Sequence, residues 1–303
     1  MFLQRFTTPD WLKNILHSPK SPDEVPASHF DELREKLRWL SDSAPEISIV
    51  IPAYNEEKNL LWLLASMAGL KSTRRVELLI ANNKSTDRTQ EILDRCGVRS
   101  ILVTQQGVAH ARQAGLLAAK GTCIVCADAD SLYPPGWVDA VTEPLFTQPE
   151  VVCTYGYYSF IPSRQNSRLK LGLYESIGEL FTHIRKRNRE AVDVRGMNFA
   201  FRRADALAVG GFDVTIGHQS TFTGTELTSG QPRAEGRCED GWLALCLSAR
   251  GRLLRVRSDA ARGWTNDRSI MAEGSLSAAF FTRVQKELKR LPLYLDPRKK
   301  ITA

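Results

Sequence analysis

Residues 47–57 read ISIVIPAYNEE, and this stretch sets the fold class. Four of its first five residues are β-branched and apolar, the pattern of a buried strand, and Pro52 stops the run. The polar group from Tyr54 to Glu57 then gives way to helical spacing at Leu60, Leu63, Leu64 and Met67. The alternation repeats. Residues 76–81 (VELLIA) are a second strand, with a helix expected from Ser85 through Leu93. Residues 100–103 give a third strand and 107–120 a helix, and 122–127 give a fourth strand before a helix opened by Pro134 and Pro135. Strands alternating with helices of this length predict a parallel sheet covered on both faces, with ligands beyond the carboxyl ends of its strands.

Outward from this block the texture changes. In residues 1–46, Phe30, Leu33, Leu37 and Leu40 fall on one helical stripe, and Ser28 with Asp31 reads as a capping box. A helical extension packed on the main body is expected there. Beyond residue 130 the pattern is less regular. Val151 to Tyr155 and Met197 to Phe201 read as strands, and Leu169 to Arg187 as a helix. Residues 213–238 read as a long loop without periodicity, Glu239 to Arg250 as helix, and Ser277 to Leu291 as a last amphipathic helix before a basic tail. The expected division is 1–46, a catalytic domain at 47–270 with halves at 47–130 and 131–270, and 271–303.

The chain has 303 residues, 43% hydrophobic and 25% charged, which excludes a disordered or disulfide-scaffold protein. Cys123 and Cys126 stand three apart in an apolar strand, so they point to opposite faces and cannot share a metal. The six cysteines suggest a reducing compartment and a cytoplasmic location. The first residues hold Gln4 and Arg5 and no apolar run, so no signal peptide is expected, and Leu60 to Leu70 is about half a membrane span. Forty-one Lys and Arg against 34 Asp and Glu leave +7, an excess that favours an anionic partner. It gathers in 185–189, 250–262 and 283–300. These segments are read as surface features that hold the chain peripherally at the inner face of a membrane, near an anionic lipid-linked acceptor. No aromatic-interleaved module accompanies them, so nucleic acid is not expected.

Three strand ends carry polar clusters: 52–57, 82–87 and 128–130. Each alone is explained by turn or capping chemistry. Together they would line one edge of the sheet. Asp128 and Asp130, two residues apart where a strand enters a turn, suit a hard divalent cation bridging to phosphate oxygens.

The ordered set of motifs resembles the family 2 glycosyltransferases of the GT-A fold over roughly 47–265. It comprises 48–57 (SIVIPAYNEE), 83–87 (NKSTD), 107–112 (GVAHAR), Lys120-Gly121, Asp128-Ala129-Asp130, 210–213 (GGFD) and Glu239-Asp240. The resemblance implies an α/β, Rossmann-like sandwich with a mostly parallel mixed sheet and helical extensions at both ends. It implies a nucleotide-diphosphate-sugar donor, with a UDP-sugar favoured, and Mn2+ or Mg2+. Pro52, Tyr54, Asn55, Glu56, Asn82, Arg112 and Asp128 would bind the donor, and Asp128 and Asp130 the metal. Asp240 would be the base of an inverting displacement onto a glycan or lipid-linked acceptor. Acids opening a helix also suit its dipole, so Glu239 and Asp240 have a structural reading too.

Glu239, Trp242, Asn198 and Arg268 are auxiliary or acceptor positions. Trp242 and Trp264 read equally as sugar platforms or core, and Asn198 as a donor-sugar contact or an internal hydrogen bond. The family usually has Asp where Asn82 stands, which leaves the base open. The motif and membrane spans of processive synthases are absent, so single-sugar transfer is expected. A sugar nucleotidyltransferase would need a Gly-rich, Lys-bearing loop after the first strand, and 52–57 has neither Gly nor Lys. A non-catalytic nucleotide-sugar-binding protein of the same fold is the remaining alternative.

Overall fold

The structure, a computed structural model, describes residues 3–216 and 238–295. In chain order its principal elements are α1 (Asp10–Leu16), α2 (Ala27–Leu37), β1 (Ile47–Ala53), α3 (Glu57–Ala68), β2 (Val76–Asn82), α4 (Thr89–Arg95) and β3 (Ser100–Leu102). There follow α5 (Val108–Ala118), β4 (Cys123–Ala127), β5 (Ser131–Leu132), α6 (Trp137–Thr147), β6 (Val151–Tyr155) and β7 (Tyr157–Phe160). The rest are α7 (Arg168–Arg189), β8 (Asn198–Arg202), α8 (Arg203–Ala208), α9 (Glu239–Ser248), β9 (Arg252–Arg255), β10 (Arg262–Thr265), α10 (Arg268–Met271) and α11 (Leu276–Leu295).

Seven strands form the main sheet in the order β3-β2-β1-β4-β8-β6-β9. β1 to β4 are parallel, and β8 enters between β4 and β6 antiparallel to both. Side chains alternate across β1. Ile49 and Ile51 join the core under α2, α3 and α6, while Val50 joins the opposite core with Leu116 of α5 and Leu243 of α9. Helix α5 lies close to the sheet because position 115 is glycine; a Cβ there would run into Val50. Cys123 and Cys126 fall into opposite cores, as their spacing requires. A sequence-silent feature is a second sheet, β5-β10-β7, set beside the exit of β4.

The expected elements are present with two local differences. Helix α2 starts at Ala27 after Pro26, with no side-chain cap, so the capping box does not form. Its Phe30, Leu33 and Leu37 are buried in the main core as the stripe predicts. The helix expected from Ser85 begins instead at Thr89. Lys84 has a positive φ, and Asp87 accepts from the Thr89 amide at 3.0 Å and the Glu57 amide at 3.0 Å, so one carboxylate opens both α4 and α3. Of the loop expected at 213–238, residues 217–237 lie outside the described residues, as do 296–303 with the basic tail.

The basic segments are not uniformly surface features. Arg185 is buried against Asp193 and Glu287, Arg262 against Asp259 and Ser159, and Arg255 against Glu179. A buried guanidinium needs such partners, so these positive charges are spent inside the fold.

Candidate functional site

The carboxyl ends of β1, β2 and β4 bring the polar clusters to one edge. The loop after β1 is shaped by Asn55, which adopts φ 53° and so turns the chain where most residues would be strained. Its amide donates to Ser85 Oγ at 3.0 Å, and its side-chain oxygen accepts from the Thr86 amide at 2.8 Å. Asn55 therefore ties the first polar loop to the second. Pro52 closes the strand half-buried, and Tyr54 stands exposed at the rim.

Asn82 and Asn83 are buried and largely engaged. Asn82 donates to Gln90 at 2.8 Å and accepts from the Ser85 amide at 3.1 Å. Asn83 donates to the carbonyls of Val103 and Gln105 and accepts from the Gly107 amide at 2.7 Å, fixing the turn into α5. An amide side chain can do both, where an aspartate could only accept.

Helix α5 sends Arg112 beneath the end of β4. It is buried and pairs with Asp128 at 2.8 Å, with Glu239 closely, and with Asp240 at 3.9 Å. Burial works against this charge, but the three acids more than offset it and hold the Arg112 pKa above its ordinary value. Gly196 is required beside it, since a Cβ there would occupy the guanidinium's place. Asp128 is positioned further by its amide, which bonds the Tyr133 hydroxyl at 3.0 Å. Burial pushes the Asp128 carboxyl up; Arg112 opposes this and Asp130 adds to it.

Glu239 and Asp240 open α9. Asp240 accepts from the Gly196 amide at 2.5 Å on one oxygen, and from its neighbour Gly241 at 2.6 Å and the Cys238 thiol on the other. Cys238 went unnoticed in the sequence; burial and Asp240 push its thiol up to about 12, so it stays a hydrogen-bond donor at neutral pH. Glu239 is fully buried, and its second oxygen has no partner among the described residues.

Asp130 belongs to a separate, outer group. It accepts from Arg268 at 2.7 Å and Asn266 at 2.9 Å, and Arg268 also lies 3.6 Å from Glu56. The Arg268 side chain is 62% exposed, and it spans the two acids from the start of α10. Lys20 comes to the same group from the amino-terminal extension. Its ammonium stands 4.5 Å above the Trp62 ring, and the Trp62 indole donates to the Ser18 carbonyl at 2.9 Å. Burial pushes the Lys20 pKa down and Arg268 reinforces this, while Glu56 and Asp130 oppose it. Lys20 lies in a segment with no motif, so only the folded chain reveals it.

The auxiliary positions divide. Asn198 accepts from Trp137 Nε1 at 2.8 Å and donates to the carbonyls of Tyr157 and Ala261, so its internal role is the one it fulfils. Trp264 is buried with Leu12 and Leu132 and is core rather than platform. Trp242 is half-buried beside Asp240 on the first turn of α9.

Among the described residues no three His, Cys, Asp or Glu side chains converge as a closed metal site. The donor set of Asp128 and Asp130 instead fits a hard cation that takes two carboxylates and completes its shell with water and phosphate. That Arg268 already neutralises Asp130 and Glu56 supports this fit, because the acids hold a cation there in its own right.

A parallel-stranded sheet with an Asp-x-Asp at its edge and paired acids facing it defines the GT-A class of folds. The profile of glycosyl transferase family 2 matches residues 48–210, and the chain belongs to this family. It is 33% identical over 109 residues to dolichol-phosphate mannosyltransferase of Saccharomyces cerevisiae, covering 33% of this chain and 41% of that one. It is 25% identical over 198 residues to the probable glycosyltransferase YdaM of Bacillus subtilis, covering 61% and 47%. The chain thus spans less than half the length of these curated relatives.

Solved structures share the fold. The mannosyltransferase PcManGT from Pyrobaculum calidifontis, in complex with GDP-Man and Mn2+, superposes with TM-score 0.52 at 18% identity, over 88% of this chain and 77% of that one. S. aureus TarS 1–349 in complex with UDP gives TM-score 0.53 at 15% identity, over 84% and 68%.

Proposed function

We propose that the chain is an inverting, metal-dependent glycosyltransferase that adds one sugar at a time from a nucleotide-diphosphate sugar to an acceptor hydroxyl. The observation that carries this reading is the position of the buried Arg112 guanidinium. It joins Asp128, on the donor side, to Glu239 and Asp240, on the acceptor side. One rigid group thereby sets the spacing between the two ends of a displacement, which is the positioning such a reaction needs.

Asp128 and Asp130 would hold the metal, which when bound supplies positive charge to the departing diphosphate. Arg268, with its side chain exposed at the rim, can turn from Asp130 to a phosphate oxygen. Asp240 takes the acceptor proton. As the acceptor oxygen bonds to the anomeric carbon, that carbon's bond to the diphosphate breaks and the nucleotide leaves with the electron pair. The amides of Gly196 and Gly241 fix the Asp240 carboxylate, and the oxygen that accepts from Gly196 retains a lone pair for that proton, the other being taken up by Gly241 and the Cys238 thiol.

The relatives' names support a mannosyl donor and a lipid-phosphate acceptor. A UDP-sugar remains the favoured donor, with Tyr54 as the exposed ring at the base end. The expected site of action is cytoplasmic, at the inner face of a membrane.

A thermal-shift panel of UDP- and GDP-sugars with and without Mn2+ tests the reading. At a hundredfold excess over Kd a true donor stabilises by about 2.7 kcal/mol, and only with metal. Asp240→Asn should keep this shift and lose about a thousandfold in turnover. A shift without turnover in the unmutated chain would favour the non-catalytic binding protein instead.

A further inference from the structure

Buried arginines in this fold come with acids. Arg5, Arg112, Arg168, Arg185 and Arg262 are buried, and each has a carboxylate oxygen within 3.5 Å. A desolvated guanidinium requires as much. Arg283 of α11 breaks the pattern. It is half-buried in the seam with α7, where position 178 is glycine and a Cβ would run into the guanidinium. Among the described residues no carboxylate stands within salt-bridge distance of it; the groups it faces are the phenols of Tyr158 and Tyr174. Its Cζ lies 5.1 Å from the centre of the Tyr174 ring. Packing fixes both rings. They flank Phe160 edge-on, at 5.6 and 6.0 Å between ring centres, over Leu171 and Ile270.

This cluster faces the acceptor side of the site. Tyr158 of β7 stands opposite Gly263 of β10, so both point to one face of the small sheet. A Cβ on Gly263 would come within 3.2 Å of Met197 and 3.3 Å of the Tyr133 ring. That face therefore looks toward the segment Arg195-Gly196-Met197, whose Gly196 amide holds Asp240 at 2.5 Å. Arg195 is exposed and, among the described residues, also has no carboxylate within salt-bridge distance. Arg283 draws the Tyr158 pKa below its ordinary value against burial, and Arg195 adds to this, so both charges bear on one hydroxyl.

Every group turned to this spot donates. A guanidinium cannot accept, and a phenol whose oxygen faces one keeps its proton for another acceptor. The acids nearby are engaged elsewhere or turned to solvent. Glu175 is bound to Arg168 and Ser159, and Asp193 to Arg185, while Glu273, which bears on Tyr174, is exposed. Two cations and two hydroxyls with no acid between them complement an oxyanion. A neutral sugar hydroxyl would call for acceptors as well.

We propose that Arg283 and Arg195, with the hydroxyls of Tyr158 and Tyr174, recognise an oxyanion carried by the acceptor, a phosphate monoester or a carboxylate. This rests on the reading of Asp240 as the acceptor-side base and adds the chemical class that the acceptor must present. A neutral glycan lacks the group these residues hold.

The test is calorimetric titration of the full chain with three probes that share one ring: phenyl phosphate, benzoate and benzyl alcohol. One or both anions should bind at least about tenfold more tightly than the alcohol, and the stronger of the two names the acceptor's group. Arg195→Gln, at an exposed position, should weaken the anion about tenfold with unchanged Tm, the worth of one charge-assisted bond. Arg283→Gln should weaken it further, and Tyr158→Phe about threefold. Arg268→Gln should leave it unchanged, which separates this site from the one for the donor's diphosphate. Equal binding of the alcohol overturns the proposal, as does anion affinity that falls with Arg268→Gln but not with Arg195→Gln. Sugar transfer by a chain that binds neither anion overturns it too and leaves the catalytic reading standing. Anion binding here by a chain that transfers no sugar would instead fault the catalytic reading alone.

Discussion

Two arginines at the sheet edge answer the same electrostatic problem in opposite ways. Arg112 sits inside, on a helix packed against the sheet, with three acids closed around it. Arg268 sits outside, at the first residue of a four-residue helix, holding Asp130 and Glu56 from solvent. A buried ion network of the first kind is expensive to disturb, because removing one member strands the others in a medium that cannot solvate them. An exposed pair of the second kind contributes little to stability and exchanges partners readily. The interior network is therefore a fixed frame. The outer one is the part able to trade a protein cation for a metal or a diphosphate.

The largest effect that could break this comparison is at Arg112. Arg112→Met should cost about 3–5 kcal/mol, lower Tm by roughly 10 °C and abolish transfer. Combining it with Glu239→Gln should recover part of the loss, since it removes a stranded charge. Strict additivity in that double-mutant cycle, measured by denaturant unfolding, would show that the interior group is not a single network.

The middle case is Arg268. Arg268→Gln should change stability by less than about 0.5 kcal/mol and weaken nucleotide-diphosphate binding about tenfold, the worth of one charge-assisted bond. Asp130→Asn should leave Tm nearly unchanged and remove the Mn2+ dependence of donor binding, read by calorimetric titration. If Arg268→Gln destabilised as much as Arg112→Met, the division into frame and exchangeable group would fail.

How much of this was legible beforehand depends on the kind of signal. The parallel half of the sheet announced itself through period and punctuation, because buried strands are continuous apolar runs that end in turn residues. Asp128, Asp130, Glu239 and Asp240 were findable because they occupy fixed places relative to those runs. Contacts between distant segments left no such trace. Nothing local in a residue 127 positions later shows that Glu239 shares Arg112 with Asp128 once α5 and α9 both pack on the sheet. Asn198 and Trp264 kept two readings in the sequence because the choice depends on neighbours from β7, α6 and α1. The basic runs misled for the same reason. Arg185, Arg255 and Arg262 look solvated in a list of charges, yet Arg185 and Arg255 each have an acid waiting across the fold, and Arg262 is buried between its neighbour Asp259 and the distant Ser159.

Lys20 gives the smallest and most discriminating prediction. It belongs to the extension outside the matched family region, yet it shares the outer group's acids with Arg268. If the outer group is an exchangeable cation site, an added lysine there should assist an incoming diphosphate without supporting the fold. Lys20→Met should then raise donor KM about threefold, a fraction of the Arg268 effect, with kcat and Tm unchanged. Lys20→Arg should restore KM, and the difference between Met and Arg should shrink in salt as a screened, half-exposed charge requires. Lys13, exposed and paired only with Asp10, is the control, and Lys13→Met should change nothing. A fall in Tm with unchanged KM would make Lys20 a clamp on Trp62 instead, and the outer group would then consist of Arg268 and its two acids alone.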